Sequence, residues 1–297
     1  MKTRTRAELF LLSCTIIWGG TFVVVKGGLE DSPPFLFVAI RFAVATLLFL
    51  PFVAKGLLTM SKASLRGGLI VGVLLFLGFL AQTTGLLYTT ASKSGFITGL
   101  LVVFTPIFQI VIERRLPKIG NVIGIFLVTV GLYFLTSPAG SEFNLGDGLT
   151  LACAMVFGLY IVYLDVYSRK GNTMHLAFMQ FAVTGLGAMI VSIAFEEMSV
   201  RLTANFLEAI AYLALLATLY TLTVQTKYQK DTTPTRAAII FSIEPVFAAV
   251  FAYFFRQEII GTVGIIGGIF VVGGLLVSEL SDMIFRRAAA NEEGTSD

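Results

Sequence analysis

The stretch AAIIFSIEPVFAAVFAYFF, at residues 237–255, is apolar almost throughout, and Glu244 is its one charged side chain. A transmembrane α-helix needs about 20 consecutive, predominantly apolar residues. Nine other stretches of similar length and composition follow one another along the chain with short breaks, so the sequence predicts ten membrane-spanning helices. Their predicted bounds are about 8–27, 34–54, 66–88, 94–112, 119–136, 147–167, 174–195, 204–226, 233–255 and 259–279.

The overall composition excludes a soluble protein. Charged residues make up 13% of the 297 residues, about half of the roughly 25% that soluble domains carry. Hydrophobic residues make up 56% and the mean hydropathy is +0.88, so the chain cannot cover a soluble fold with charge. Intrinsic disorder and nucleic-acid binding both need a more polar or more basic sequence. We therefore predict an integral protein of a lipid bilayer with no nucleic-acid partner.

The chain offers few ligands for a metal or a cofactor. Its cysteines are Cys14 and Cys153, both inside apolar stretches, and its one histidine is His175. A structural zinc site or an iron–sulfur cluster takes several Cys or His ligands. No Gly-x-x-x-x-Gly-Lys-[Ser/Thr] loop for ATP phosphates occurs. The sequence therefore predicts no metal site, no cofactor and no ATP-driven pumping by this chain alone.

The basic residues predict the orientation, because Lys and Arg concentrate on the cytoplasmic side of membrane proteins. With the N terminus placed in the cytoplasm, 16 of the 21 Lys and Arg residues face the cytoplasm. Four (Lys26, Lys93, Arg201 and Arg256) face the other side, and Arg41 stays inside the second span. Ten spans then place both termini in the cytoplasm. Short loops and this charge distribution predict a multi-pass protein of a bacterial inner membrane.

The two halves of the chain resemble each other when one is moved along the other by a fixed shift of 139 (153 − 14). The matching landmarks are Cys14 with Cys153, Trp18-Gly19 with Phe157-Gly158, Phe42-Ala43-Val44 with Phe181-Ala182-Val183, and Pro106 with Pro245. Each half holds five predicted spans, an odd number, so the second copy enters the membrane upside down. The predicted fold is an all-α integral membrane protein with two inverted five-helix repeats, at residues 1–138 and 139–281, and a polar cytoplasmic tail at 282–297.

Several short motifs occur in a fixed order along these spans. They are Ile17-Trp18-Gly19-Gly20-Thr21-Phe22, Arg41-Phe42, Gly85-Leu86-Leu87-Tyr88-Thr89-Thr90-Ala91-Ser92, Ser242-Ile243-Glu244-Pro245-Val246-Phe247-Ala248-Ala249, Glu258 and Gly267-Gly268-Ile269-Phe270. With these motifs the chain resembles the drug/metabolite transporter superfamily, EamA type, over nearly its whole length. The resemblance implies export or exchange of small metabolites. Exporters of aromatic amino acids, nucleotide-sugar carriers and triose-phosphate carriers are relatives within that superfamily.

Pro106 and Pro245 stand inside the fourth and ninth predicted spans. A proline removes a helix hydrogen bond and obstructs the carbonyl one turn before it, so we expect a kink in both helices. Such breaks serve as gating elements in transporters, and a static kink absorbed by packing is the alternative. Glu258 follows Pro245 by 13 residues whereas Glu113 follows Pro106 by only 7. A strict two-fold relation is therefore expected to fail near the end of the fourth span.

Arg41 and Glu244 are the charged groups predicted within the hydrocarbon region. Charged side chains in membrane helices usually face the interior of the bundle or a water-filled cavity. Glu244 is a candidate for binding a substrate or a coupling proton, and hydrogen bonding within the packed helices is the alternative. Arg41 is a candidate for binding a carboxylate or phosphate, and extension towards the membrane surface is the alternative.

The other candidate substrate-binding residues are polar or amphipathic groups within the spans. Amide and aromatic side chains suit a site that orients an amphipathic molecule, although most aromatic residues of so apolar a chain must face lipid or other helices. These candidates are Trp18, Gln82, Tyr88, Tyr160, Gln180 and Gln225.

Inverted repeats with broken helices are typical of secondary transporters, whose substrate site usually lies near the midplane between the repeats. The sequence therefore predicts a transporter, not an enzyme, that moves small metabolites such as amino acids or related amphipathic compounds by alternating access. The resemblance implies export. One alternative is a membrane-embedded enzyme acting on lipids or isoprenoid phosphates, and another is a nucleotide-sugar or organophosphate exchanger of the same superfamily. The predicted partners are a small-molecule substrate, the bilayer and a coupling proton; a monomer and a homodimer both stay open.

Overall fold

The computed structural model describes residues 3–136, 143–256 and 261–293. All regular secondary structure in these ranges is helical. Eight stretches are long and apolar enough to span a membrane: Thr3–Gly28, Pro34–Leu57, Lys62–Tyr88, Lys93–Glu113, Leu145–Ser168, Thr173–Phe195, Ala204–Asp231 and Pro234–Phe251. Two shorter apolar helices, Ile119–Leu135 and Thr262–Ser278, complete the series. The all-α prediction is confirmed, and the eight long stretches together with the two shorter apolar helices agree with the ten predicted spans to within a few residues.

The ten spans are built from fourteen α-helices. The first repeat contains α1 (Thr3–Gly19), α2 (Thr21–Gly28), α3 (Pro34–Leu57), α4 (Lys62–Tyr88), α5 (Ala91–Gly99), α6 (Leu101–Glu113) and α7 (Ile119–Thr136). The second contains α8 (Leu145–Ser168), α9 (Thr173–Phe195), α10 (Ala204–Ala211), α11 (Thr221–Tyr228), α12 (Pro234–Phe241), α13 (Glu244–Arg256) and α14 (Thr262–Glu293). A π-helical segment at Tyr212–Tyr220 joins α10 to α11 within the eighth span.

The first span breaks at Gly19-Gly20 because two other spans approach it there. A Cβ atom on Gly19 would lie 2.8 Å from Cβ of Phe247, and one on Gly20 would lie 2.8 Å from the hydroxyl oxygen of Tyr212. The same Tyr212 hydroxyl donates a hydrogen bond to the Ile17 carbonyl at 2.6 Å. The break therefore brings the first span into contact with both the eighth and the ninth.

The fourth and ninth spans also break, but not at their prolines. The breaks fall at Leu100 and at Ser242-Ile243. Pro106 lies inside α6, six residues after the first of these breaks, and α6 runs continuously through it. Pro245 is the second residue of α13, where its missing N–H removes no bond that the helix would otherwise make. The expectation that each proline marks the interruption of its own span is therefore corrected.

The helix bounds also correct the register of the repeat. Pro34 and Thr173 begin α3 and α9, and their numbers differ by 139 (173 − 34), as the sequence landmarks predict. The starts of α6 and α13, and those of α7 and α14, differ instead by 143 (244 − 101 and 262 − 119). The starts of α4 and α10 differ by 142 (204 − 62), so three of the four extra residues precede the eighth span, where the connection at 196–203 is longer than its counterpart at 58–61. The starts of α5 and α12 differ by 143 (234 − 91), so the fourth extra residue lies between the start of α10 and that of α12.

This change of register separates the two prolines. At a shift of 143, Pro245 corresponds to Val102 and Pro106 corresponds to Ala249. Their match at 139 is a coincidence of apolar sequence. Glu258 lies outside the described residues, as does the predicted boundary between residues 138 and 139.

Small residues allow close packing between the two repeats. Gly72 and Gly78 of α4 leave no room for a Cβ atom against Val183 of α9 and Phe157 of α8. On the other side of the bundle, Gly131 of α7 lies against the backbone of α14 in the same way. Close helix approach through small side chains is the usual way to pack helices in lipid. The many glycines of the sequence thus hold the repeats together.

An aromatic cluster fills the space between the second, third, sixth and seventh spans. The ring of Phe42 lies 5.1 Å from that of Phe79, which lies 5.5 Å from Phe157. Phe181 lies 5.5 Å from Phe49. Edge-to-face contacts at these distances are favourable beyond the area that they bury. Two members of the cluster, Phe79 and Phe157, continue into the wall of a central cavity.

Candidate functional site

A cavity of about 70 Å³ lies between the two repeats. Leu75 and Phe157 in its wall stand near the middle of α4 and of α8, respectively. Its volume is small against the ~300–1,000 Å³ of sites that enclose a ligand, so the cavity is narrow in this conformation. The lining residues are Trp18, Thr21, Arg41, Leu75, Phe79, Gln82, Thr98, Leu101, Phe157, Tyr160, Ile161, Leu222, Gln225, Phe241 and Glu244.

Much of this wall consists of repeat-related pairs. At the shift of 139 (157 − 18 and 160 − 21), Trp18 and Thr21 correspond to Phe157 and Tyr160, and all four line the cavity. At the shift of 143 (225 − 82), Gln82 corresponds to Gln225, and both amides line it as well. The cavity therefore lies where the pseudo-two-fold relation brings equivalent helices face to face.

Arg41 reaches the cavity from α3 and is 3% exposed. Its Nε donates to the Thr218 hydroxyl at 2.6 Å, and its Nη2 donates to the Ala217 carbonyl at 3.0 Å. The guanidinium lies 4.7 Å from the centre of the Phe79 ring. No carboxylate of the described residues forms an ion pair with it, so dipoles and aromatic faces stabilise this charge in place of a counter-ion.

The π-helical segment of the eighth span supplies those dipoles. The Ala217 carbonyl accepts three side-chain donors, from Trp18 Nε1 at 3.2 Å, from Arg41 and from the Thr221 hydroxyl at 2.8 Å. A π-helix is rare and occurs mostly near functional sites. It places a carbonyl within reach of Trp18 and Arg41 together. Neither the π-helical segment nor the role of Thr218 had a recognisable signal in the sequence.

Glu244 reaches the cavity from the break in the ninth span. It is the first residue of α13 and lies directly after the interruption at Ser242-Ile243. Its carboxylate makes no hydrogen bond or ion pair with a described residue. The N-terminal end of a helix carries a partial positive charge that favours an acid. The break therefore directs the carboxylate to the cavity and places it at the N-terminal end of α13.

Gln180 lies behind the cavity wall, not in it. It is fully buried, accepts a hydrogen bond from the Tyr160 hydroxyl at 2.8 Å and donates one to Thr226 at 2.8 Å. Tyr160 itself lines the cavity. Gln180 was predicted to bind substrate directly, whereas its contacts make it the residue that fixes the Tyr160 ring.

A second amide relay orients Gln225. Its Nε2 donates to Gln229 Oε1 at 2.9 Å, and Gln229 Nε2 donates to the Ile161 carbonyl at 2.7 Å. Because a carbonyl only accepts, it fixes the orientation of Gln229 and, through it, that of Gln225. The Oε1 atom of Gln225 is then left buried without a donor, beside the cavity. Gln229 was missed by sequence reasoning because it lies past the predicted end of the span.

Tyr88, another predicted substrate-binding residue, lies away from the cavity. It is the last residue of α4 and is 55% exposed. The structure thus brings together six of the eight predicted residues, namely Trp18, Arg41, Gln82, Tyr160, Gln225 and Glu244. The phenylalanines of the wall could not be told apart by sequence from the other members of a set of 27.

The ligand types of the described residues do not converge into a metal site. Over residues 3–136, 143–256 and 261–293, no group of three or more His, Cys, Asp and Glu side chains lies close enough to hold a metal ion. Cys14 and Cys153 are both buried as free thiols. The described cavity wall therefore offers one guanidinium, one carboxylate, two amides, the hydroxyls of Thr21, Thr98 and Tyr160, and several aromatic faces.

Comparison with known proteins agrees with this architecture. The sequence profile of the EamA-like transporter family matches residues 5–137 and again residues 144–280. An "uncharacterized transporter" of Archaeoglobus fulgidus is 36% identical over 278 residues, covering 93% of this chain and 87% of the relative. The "uncharacterized inner membrane transporter YedA" of Escherichia coli K12 is 26% identical over 261 residues, covering 84% of this chain and 83% of the relative.

A solved crystal structure shares the fold. It superposes with a TM-score of 0.78 over 93% of this chain and 97% of its own, at 18% sequence identity. The duplicated profile match, the similarity to transporters and the ten spans agree with one another. The chain belongs to the EamA-like transporter family of the drug/metabolite transporter superfamily.

Proposed function

We propose that this protein is a secondary transporter that moves small zwitterionic or amphipathic metabolites, such as amino acids and related compounds, by alternating access, in the direction of export. The observation that carries the proposal is the pairing of Arg41 and Glu244 at one cavity. These opposite charges come from different repeats and have no ion-pair partner among the described residues. A substrate with both a carboxylate and an ammonium group supplies a partner for each.

The carboxylate of the substrate binds Arg41. Two nitrogens of this guanidinium are held by Thr218 and Ala217, and Nη1 makes no hydrogen bond with a described residue. A charge-assisted hydrogen bond from the free part of the guanidinium then fixes the carboxylate. The ammonium group binds Glu244, or the Oε1 atom of Gln225, which lacks a donor. An apolar side chain packs on Trp18 and Phe241, whose rings already form an edge contact at 5.2 Å.

The same charges argue against a phosphorylated substrate of the kind that nucleotide-sugar and triose-phosphate carriers transport. Phosphate groups are usually bound by several cationic or bidentate donors, whereas the described cavity wall contains one cation, Arg41, and the carboxylate of Glu244 repels phosphate. A lipid or isoprenoid-phosphate enzyme needs acids, bases or metal ligands in contact with one another. Arg41 and Glu244 form no such pair, so we propose transport without chemical turnover.

The experiment is counterflow in proteoliposomes with a matched set of solutes. The set contains neutral amino acids, the amines and carboxylic acids that share their side chains, and sugar phosphates. We expect exchange of amino acids and much weaker exchange of analogues that lack either charged group. Preferential exchange of sugar phosphates contradicts the proposed substrate class, and hydrolysis of an added lipid phosphate contradicts the proposal of transport without turnover.

We also propose that both termini lie in the cytoplasm and that the protein resides in a bacterial inner membrane. The excess of Lys and Arg on one side supports this orientation, and the similarity to YedA of E. coli, an inner membrane transporter by name, supports the location. The cavity is formed within one chain, so a monomer suffices as the transport unit. Reporter fusions at each terminus that become active only in the periplasm are expected to stay inactive; periplasmic activity contradicts the orientation.

A further inference from the structure

A charged cluster joins the first and ninth spans at the face of the membrane where the N terminus lies. Glu8 Oε1 accepts a hydrogen bond from Arg236 Nε at 2.8 Å and another from the Thr232 hydroxyl at 3.0 Å. Arg169, at the end of the sixth span, donates to the Thr232 carbonyl at 3.1 Å. The pKa of Arg169 is raised, first of all by its hydrogen bonds to Asp165. We call Glu8, Arg169, Thr232 and Arg236 the N-side cluster.

A second cluster joins the sixth and fourth spans at the opposite face. Asp147 Oδ2 lies 2.6 Å from Lys93 Nζ, and Asp147 Oδ1 accepts a hydrogen bond from the Thr89 hydroxyl at 2.7 Å. Lys26, at the end of the first span, donates to the Thr89 carbonyl at 3.1 Å. We call Lys26, Thr89, Lys93 and Asp147 the opposite-side cluster.

Equivalent residues of the two inverted repeats form the two clusters. Asp147 corresponds to Glu8 at the shift of 139 (147 − 8) that relates the first spans of each repeat. Arg236 corresponds to Lys93 at the shift of 143 (236 − 93) that relates the later spans. The cations belong to equivalent motifs, Thr89-Thr90-Ala91-Ser92-Lys93 and Thr232-Thr233-Pro234-Thr235-Arg236. In each motif the second threonine caps the half-helix that follows, accepting a hydrogen bond from the N–H of the cation.

Each cluster lies between the cavity and one face of the membrane. Glu8 precedes the cavity residue Trp18 by ten residues, and Asp147 precedes its equivalent Phe157 by ten. Ten helical residues span about 15 Å, so the clusters lie at similar distances from the cavity on opposite sides. Both spans joined by each cluster also line the cavity.

The break in the joined span makes such a closure movable. The cation of each cluster lies on the half-helix nearer to its own face of the membrane, which is α5 for Lys93 and α12 for Arg236. The break at Leu100 separates α5 from α6, and the break at Ser242-Ile243 separates α12 from α13. Movement of α5 or of α12 alone therefore separates the charges of its cluster and leaves α6 or α13 in place. The acid and the cation that pair in each cluster are largely buried, since Arg236 is 3% exposed and Asp147 is 0% exposed, whereas Arg169 and Lys26 at the edges of the clusters are exposed. The paired charges can separate only if each becomes exposed to water, because lone charges are costly in hydrocarbon.

We propose that the N-side cluster and the opposite-side cluster are the two gates of alternating access, and that opening one requires the other to stay closed. The charge pairs of both clusters are formed in this structure. The proposal rests on transport by this family and not on the identity of the substrate, so it stands or falls independently of the zwitterion proposed above.

The test measures access to the cavity from each face. A cysteine replaces the cavity residue Thr21 in a Cys14→Ala, Cys153→Ala background, and a membrane-impermeant maleimide is added to one face of oriented vesicles. Glu8→Gln is expected to speed labelling from the N-terminal face about fivefold or more and to slow it from the opposite face. Asp147→Asn is expected to do the reverse. Glu208→Gln, which alters an exposed acid of α10 that belongs to neither cluster, is the control and should change neither rate.

Equal acceleration from both faces by either variant, or no change in either, overturns the proposal. A second experiment covers the case in which a charge-removing variant folds poorly. Cysteine pairs at positions 8 and 232, and at positions 89 and 147, are joined by a short thiol cross-linker in the same background. Either cross-link is expected to lower the rate of counterflow at least tenfold relative to the uncross-linked protein. Cleavage of the cross-link is expected to restore the rate. Counterflow that continues through a fully cross-linked protein contradicts a gate at that cluster.

Discussion

The two repeats contribute equivalent scaffolds but different chemistry to the cavity. Trp18 and Phe157, like Gln82 and Gln225, occupy equivalent positions in the wall. The charges do not follow this rule, because Arg41 corresponds to Gln180, which lies behind the wall, and Glu244 corresponds to Leu101 at the true register. Each repeat thus brings one charge that its partner lacks.

This difference separates two tasks. Alternating access exchanges the roles of the two repeats, so the residues that open and close the path are expected in both copies. A substrate with two different ends needs a site that is not symmetric. Under the proposed mechanism, we therefore assign the equivalent positions to the movement of the repeats and the unequal positions to substrate recognition. Substitutions at the unequal positions should therefore weaken substrate binding, whereas a substitution outside the cavity should not.

Loss of the Arg41 charge should have the largest effect. Arg41→Gln removes the group that we propose binds the substrate carboxylate, and loss of one partner of a buried charged pair costs about 2–4 kcal/mol, or roughly 30- to 1,000-fold in affinity. Counterflow of amino acids measures this loss. Arg41→Lys keeps the charge but does not keep the hydrogen bonds to both Thr218 and Ala217. Its affinity should therefore lie between that of the parent and that of Arg41→Gln. Normal affinity in both variants contradicts a role in binding.

Glu244→Gln should have the next largest effect, about tenfold on transport of a zwitterion, because a hydrogen bond to a charged group is lost. If Glu244 also carries the coupling proton, a proton gradient drives accumulation in the parent protein and not in the variant. Acidification should inhibit the parent more than the variant, because protonation removes the charge in the parent alone. Accumulation measured with and without the gradient separates the two roles, with Glu208→Gln as the control.

The Tyr160–Gln180 pair should have a smaller and non-additive effect. Tyr160→Phe and Gln180→Leu each remove the same hydrogen bond, so we expect losses of about three- to tenfold in affinity for each, and little further loss in the double variant. A double-mutant cycle on substrate affinity measures the coupling. Fully additive losses show that the two residues act separately and contradict a positioning role for Gln180.

Tyr88→Phe should have the smallest effect. Tyr88 lies at the exposed end of α4, away from the cavity, and substitutions at such positions are usually within about 0.5 kcal/mol in stability. Transport rates within about twofold of the parent are expected. A tenfold loss in affinity shows that the substrate path extends to the end of α4 and contradicts the placement of the site.

Much of the fold was predictable because membrane spans depend mainly on length and apolarity, which a sequence displays directly. Arg41 and Glu244 were identified for the same reason, since charges within hydrocarbon are rare. The register was not predictable, because apolar stretches match at several shifts and the four extra residues are divided between the connection before the eighth span and a later position. Nor were the positions of the breaks, the π-helical segment or Gln229, since these depend on contacts between spans that are far apart in sequence.

The most direct test of the unequal site is a binding measurement that pairs protein variants with substrate analogues. Affinities of purified parent, Arg41→Gln and Glu244→Gln proteins are measured for one transported amino acid and for the amine and carboxylic acid with the same side chain. We predict that Arg41→Gln binds the amino acid and the amine equally, and that Glu244→Gln binds the amino acid and the carboxylic acid equally. Uniform weakening of all three ligands in both variants would contradict recognition of the two ends by these two residues.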